Sequence, residues 1–359
     1  MAEAYQNFTT PFIKEPSAAR KRPLDRVRLE WLTTPLAAWT VGGIFLDGWA
    51  HDHGKTDASF FTIWHGLLYS GFAVLTLVLV AALFINHGAG YSWKKALPAG
   101  YNLSLVGALV FGLGGVGDMI WHTLLGIEVS TEALLSPTHL TLALGITLLA
   151  TGPLRAAWRA LKTRNPGWLN LFPAFIALLL VYSMFNFFTQ YAHPFVDLAG
   201  GSLRDTGLYR DTSDRYQVSA GVASILLQTA LMMGFTLLAL RRWNLPFGAL
   251  TLLYTVNAAL VVVFRDNYNL IPVALVTGLA ADGLRLVLFS ANRESEGRLR
   301  LFAFLVPTVM YGLYFLEIAL FGQVLWSAPL WGGSIFLAGV TGLVVSYLVF
   351  QPEAARLEA

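Results

Sequence analysis

The chain has 359 residues, 56% of them hydrophobic and only 13% charged, with a formal net charge of +3 and no cysteine. A soluble domain carries about one quarter charged residues, so an ordinary soluble fold is excluded. Without cysteine there are no disulfides, no thiolate metal sites and no cysteine-held iron–sulfur clusters. The small positive excess is spread along the chain, and no nucleic acid is expected as a partner.

Residues 1–30 form a polar, basic arm containing Arg20, Lys21, Arg22, Arg26 and Arg28, suited to lying on an anionic lipid leaflet. Beyond it, apolar runs long enough to cross about 30 Å of hydrocarbon recur to the end of the chain. The sequence predicts about ten of them by this criterion, at 34–50, 58–85, 99–125, 138–158, 168–192, 217–240, 246–264, 270–290, 301–322 and 329–350. The expected fold class is all-α, a polytopic transmembrane helical bundle embedded in the cell membrane.

Basic residues alternate between loops. Lys94 and Lys95 follow the second run, Arg155, Arg159, Lys162 and Arg164 the fourth, Arg241 and Arg242 the sixth, and Arg293, Arg298 and Arg300 the eighth. The positive-inside bias then places both termini in the cytoplasm. Odd-numbered helices run outward, even-numbered ones inward.

Residues 31–165 read as a four-helix unit made of two repeated hairpins. In the first, Asp47-Gly-Trp-Ala-His51 ends an outward helix and His65 follows on the next one. In the second, Asp118-Met-Ile-Trp-His122 is followed by His139. An Asp and a His four residues apart lie on one helix face, so each stretch aims a carboxylate and an imidazole at one point. Two histidines and one carboxylate hold a metal ion while leaving positions open for oxygen or substrate. The six candidate ligands are therefore Asp47, His51, His65, Asp118, His122 and His139, in one layer toward the extracytoplasmic side. Asp47 and Asp118 are also the candidate catalytic carboxylates, together with Glu128 as a bridging group. His53 and His193 fall at the same level as extra ligands or supporting partners, and Trp49, Trp64 and Trp121 are expected beside the metal or at the interface. Glycines at 42, 43, 112, 114, 115 and 117 are expected to let the two hairpins approach closely. One six-ligand dinuclear site and two mononuclear sites are both compatible with the spacing.

An Asp-His-His set inside membrane helices resembles one metal site of the membrane copper monooxygenases. The chain lacks that family's longer motif, so the resemblance covers a few residues and implies no further assignments.

Residues 166–359 read as a six-helix scaffold with an outer loop at 194–215, rich in Asp and Arg and expected to cover the outer mouth. Within it, Asp282 and Arg285 are three apart on one helix and are expected to form an ion pair. The leading expectation is a membrane metalloenzyme, oxygenase- or hydroxylase-like, using iron or copper with zinc as a third option. Its substrate would be a hydrophobic small molecule, its partners the lipid bilayer and an electron donor or partner subunit. The alternatives are a divalent-metal transporter, in which Asp282 would serve, a zinc-dependent membrane hydrolase, and a haem-binding cytochrome.

Overall fold

The computed structural model describes residues 21–55, 60–126, 131–203, 215–289 and 296–350. The helices in chain order are α1 (Arg26–Asp52), α2 (Ile63–Gly88), α3 (Trp93–Ala96), α4 (Asn102–Leu125), α5 (Thr131–Leu135), α6 (Pro137–Ala150), α7 (Gly152–Ala160), α8 (Trp168–Phe188), α9 (Arg215–Arg242), α10 (Ala249–Val261), α11 (Ile271–Leu288), α12 (Glu296–Phe321) and α13 (Ala328–Val349). Two three-residue strands, β1 (Gly201–Leu203) and β2 (Gly322–Val324), pair antiparallel with Ser202 opposite Gln323. That ladder leaves the all-α class intact.

Each of the ten expected apolar runs contains a helix among its described residues. Among the described residues eight helices are long and apolar enough to cross a membrane, with α6 and α7 counting as one at Pro137–Ala160, and the chain is that of a multi-pass membrane protein. The remaining two runs are α1 and the segment Ala249–Arg265. The first carries Arg26, Arg28, Glu30, Asp47 and Asp52 along its 27 residues, and the second is a shorter apolar helix.

Hairpins α1/α2 and α4/α6 each close on small residues. A Cβ at Gly43 would lie 2.7 Å from the Leu68 Cα, and one at Gly145 would lie 2.5 Å from the Phe111 N. Backbones approach closely only where no side chain intervenes. The expectation that the glycines mainly join one hairpin to the other is corrected here, because Gly43 and Gly114 face partners inside their own hairpins, Leu68 and Leu142. Among the six, Gly112 and Gly115 turn toward the other hairpin, meeting Phe72 and Tyr69, while nothing lies near Gly42.

Helix α8 stands at the centre. Its side chains are buried almost all round, from Leu171 through Phe187, as expected for a helix enclosed by others and not facing lipid. It touches α1, α6 and α7 on one side and α9 and α10 on the other. The outer faces of α2, α4 and α13 remain apolar and exposed, at Leu77, Leu109 and Leu348 for example, which suits hydrocarbon as solvent.

The predicted Asp282–Arg285 pair does not form. Asp282 is fully buried and reaches instead to the start of α10. Its Oδ2 accepts from the Gly248 N (3.0 Å), the Thr251 N (3.0 Å) and the Thr251 hydroxyl (2.8 Å), and its Oδ1 from the Leu250 N (3.4 Å). The first N–H groups of a helix have no partner within it, and a carboxylate is the strongest acceptor for them. Sequence spacing had shown Arg285 as a neighbour, but α10 docks its open N-terminus on this face of α11.

The outer loop is described as far as residue 203. There it is part of the wall, because the Asn267 amide donates to the Phe195 and Val196 carbonyls (2.9 and 3.0 Å) and the Tyr314 hydroxyl to those of Pro194 and Ala199. The remainder of the expected cover, 204–214, lies outside the described residues, as does Glu128.

Candidate metal centre

The C-terminal ends of α1 and α4 and the N-terminal ends of α2 and α6 lie together at one end of the bundle. Helices α2 and α6 each begin with a hydroxyl cap: the Thr62 side chain accepts from the His65 N (3.1 Å) and the Ser136 side chain from the His139 N (3.3 Å). The cap fixes the first turn, and both histidines occupy the third helical position. The repeated Thr/Ser-x-x-His spacing was therefore a further signal in the sequence.

The six groups gather into two clusters of three. In the first, the His65 Nε2 lies 3.3 Å and the His51 Nε2 3.8 Å from the Asp47 Oδ2. In the second, the His139 Nε2 lies 3.4 Å and the His122 Nε2 3.5 Å from the Asp118 Oδ1. Within each cluster the potential ligand atoms all fall within 4.8 Å of one another. Ligands bound at about 2.0–2.2 Å around a tetrahedral ion sit roughly 3.4 Å apart, so the spacing fits an ion at the centre of each triangle.

Hydrogen bonds fix how the imidazoles present themselves. The His65 Nδ1 bonds the Phe60 carbonyl, the His122 Nδ1 the Gly126 carbonyl (3.2 Å), and the His139 Nδ1 the Ser136 hydroxyl (2.8 Å). A carbonyl only accepts, so His65 and His122 donate from Nδ1 and turn Nε2 to the carboxylate. Two acceptors at 3.3–3.5 Å repel unless a proton or a cation lies between them. This is the orientation in which metal-binding histidines are held by their surroundings. Thr138 adds a hydroxyl to the Asp118 Oδ1 (2.9 Å), and Asp118 is 1% exposed. The Asp47 Oδ1 is buried without a hydrogen-bond partner.

Both clusters open on one cavity of about 320 Å³. Its walls are apolar at Ile44, Leu68, Phe111, Leu142 and Met184, and among the described residues four carboxylates, Asp47, Asp52, Asp118 and Asp197, face it against the single guanidinium of Arg265. That imbalance favours cations. The Phe60 ring packs on both His65 and His122, with centroids 4.6 and 6.4 Å away.

Two expected supporting residues stand elsewhere. His53 caps α1, stacks on Trp49 (4.9 Å) and pairs with Asp266 at 3.0 Å. That hydrogen bond raises the His53 pKa and lowers that of Asp266. The pair ties α1 to the turn at 262–266, beside the Asp52–Arg265 contact of 3.7 Å. His193 is buried within its own loop, its Nδ1 accepting from the Phe195 N (3.0 Å); burial pushes its pKa down to about 3, and it is absent from the cavity wall. Trp49 and Trp64 pack edge to face at the helix ends (5.6 Å), on the rim and not inside the cavity.

Residues unforeseen in the sequence include Tyr69, Phe60, Thr138 and Arg265. Their roles depend on which helices meet, and no local spacing marks them. Comparison with family models, curated proteins and solved structures finds no match, so the reading of function rests on the site itself.

Proposed function

We propose that the chain is a membrane metalloenzyme that binds one metal ion in each Asp-His-His cluster and acts on a compact hydrophobic substrate as an oxygenase- or hydroxylase-like oxidoreductase. The observation that carries this reading is the convergence of two imidazoles on one carboxylate, twice, across one cavity, with one imidazole of each set held by its Nδ1 on a carbonyl. Iron or copper suits two imidazoles and a carboxylate with open positions, which is where dioxygen or substrate would bind. Asp47 and Asp118 serve as ligands and set the charge at the reacting centre.

The cavity volume of about 320 Å³ is at the lower end of the roughly 300–1,000 Å³ usual for small-molecule sites. Its apolar wall would hold the substrate by burial alone, and the Asp52–Arg265 contact stands at a polar rim. The basic residues Arg155, Arg241 and Arg242 lie at the opposite ends of their helices from the clusters, which supports a metal centre on the extracytoplasmic side. Electrons would come from a donor protein or partner subunit.

The transporter reading leaned on Asp282 as a deep carboxylate. Its hydrogen bonds to α10 give that carboxylate a structural purpose, which favours the enzyme. For a haem, His65 and His139 would have to turn from their separate carboxylates.

Elemental analysis of purified protein tests the proposal. Iron or copper retained by the wild type and reduced in His65→Ala and His122→Ala supports it; zinc alone moves the assignment to the hydrolase; folded wild-type protein that retains no metal after incubation with any of the three refutes it.

A further inference from the structure

The two clusters have the same ligands, but the residues one turn below them differ. Four residues after His65 comes Tyr69, and four after His139 comes Ala143. Three before Asp118 comes Gly115, and three before Asp47 comes Ile44. A large residue in one hairpin thus stands where the other has a small one. Tyr69 crosses from α2 to α4 and rests on the Gly115 backbone. A Cβ at Gly115 would lie 2.8 Å from both the Tyr69 hydroxyl and its Cε1. A side chain there would have to displace the phenol.

Tyr69 also packs against His65 and Phe111, with ring centroids at 6.1 and 6.0 Å, and it lines the shared cavity. Among the described residues its hydroxyl makes no hydrogen bond. Tyr69 is half-buried, and its hydroxyl, beside Gly115, belongs to the wall of the cavity onto which both clusters open.

Resting on the metal-centre reading above, we propose that Tyr69 is the residue that touches the exogenous ligand: its hydroxyl donates a hydrogen bond to a small anion or oxygen ligand bound at the open positions facing the cavity. Gly115 provides the room that sets the hydroxyl there. The clusters thereby share one donor, supplied by the first hairpin alone.

The test uses the full chain in detergent, loaded with Cu(II), with azide as the probe ligand. Metal content is measured by elemental analysis and azide affinity by the azide-to-copper charge-transfer absorption. Tyr69→Phe keeps the ring and its packing while removing the donor. The expected result is full copper with azide affinity weakened about tenfold to a hundredfold, the worth of one hydrogen bond to a charged group. Gly115→Ala, which pushes the phenol aside, should show the same split. Full copper with azide affinity unchanged in Tyr69→Phe overturns the role of Tyr69 and leaves the metal centre standing. Loss of copper in Tyr69→Phe also overturns it, by showing that the residue supports the site instead of meeting the ligand. A wild type that takes up none of copper, iron and zinc refutes the metal centre, and this inference with it.

Discussion

Replacing Asp282 by alanine should unfold the second half of the bundle far more readily than it should alter any transport or chemistry. The carboxylate is 0% exposed and takes three main-chain N–H groups and one hydroxyl at 2.8–3.4 Å. Alanine would leave the buried first turn of α10 without acceptors. Loss of a cap costs about 0.5–2 kcal/mol, and each stranded buried donor about 1–3 kcal/mol. The Leu250 contact is long, so two strong main-chain donors dominate, giving a loss of about 3–5 kcal/mol. Asp282→Asn retains one acceptor oxygen but turns an NH2 toward the remaining donors, and should lose roughly half as much. Reversible unfolding in mixed detergent micelles, followed by tryptophan fluorescence, measures both. A stable Asp282→Ala protein, within about 0.5 kcal/mol of wild type but unable to move metal ions in proteoliposomes, would refute the capping role and restore the transporter.

Three further outcomes are expected. Because the clusters share no ligand, His65→Ala and His122→Ala should each lower bound metal from two equivalents to one and the double variant to none, by elemental analysis; loss of both ions in a single variant would mean one shared dinuclear site. Thr138→Val removes the hydroxyl on Asp118, and by the usual worth of such supporting bonds should weaken the second cluster about 10–100-fold while sparing the first; equal weakening of both would contradict it. The His53–Asp266 bond raises the histidine above its ordinary 6.5 and lowers the aspartate below 3.8. The stabilisation from His53 is thus complete below pH 6.5 and is lost as pH rises through its raised value, while that from Asp266 holds above 3.8 and is lost as pH falls through its lowered value. Asp266→Asn should therefore be less stable than wild type near pH 6 and converge with it at alkaline pH. An unchanged difference across that range would show that the latch is not ionic.

The sequence carried the helical periodicity and the six candidate ligand positions, because both are local. Asp47 and His51 share a face through helix geometry alone, and the hairpin repeat brings in His65 and His139 by depth. What could not be read were contacts between helices distant in the chain. Asp282 had a visible neighbour in Arg285 three residues on, yet the N-terminus of α10 offered N–H groups that an ion pair could not outbid. Gly43 and Gly114 looked like joints between hairpins and proved to be joints within them. Tyr69 is one aromatic among many until α4 is seen to leave a glycine beneath it. His53 and His193 share the level of the clusters but are turned aside by Asp266 and by the Phe195 backbone.

X-ray absorption at the bound metal's edge tests the central claim most directly. The account predicts two imidazoles and one carboxylate oxygen per ion at about 2.0–2.2 Å, with the same shell kept around the single ion that the His65→Ala protein retains. Ions surrounded by water or carboxylate alone, with no imidazole in their shell, would contradict it.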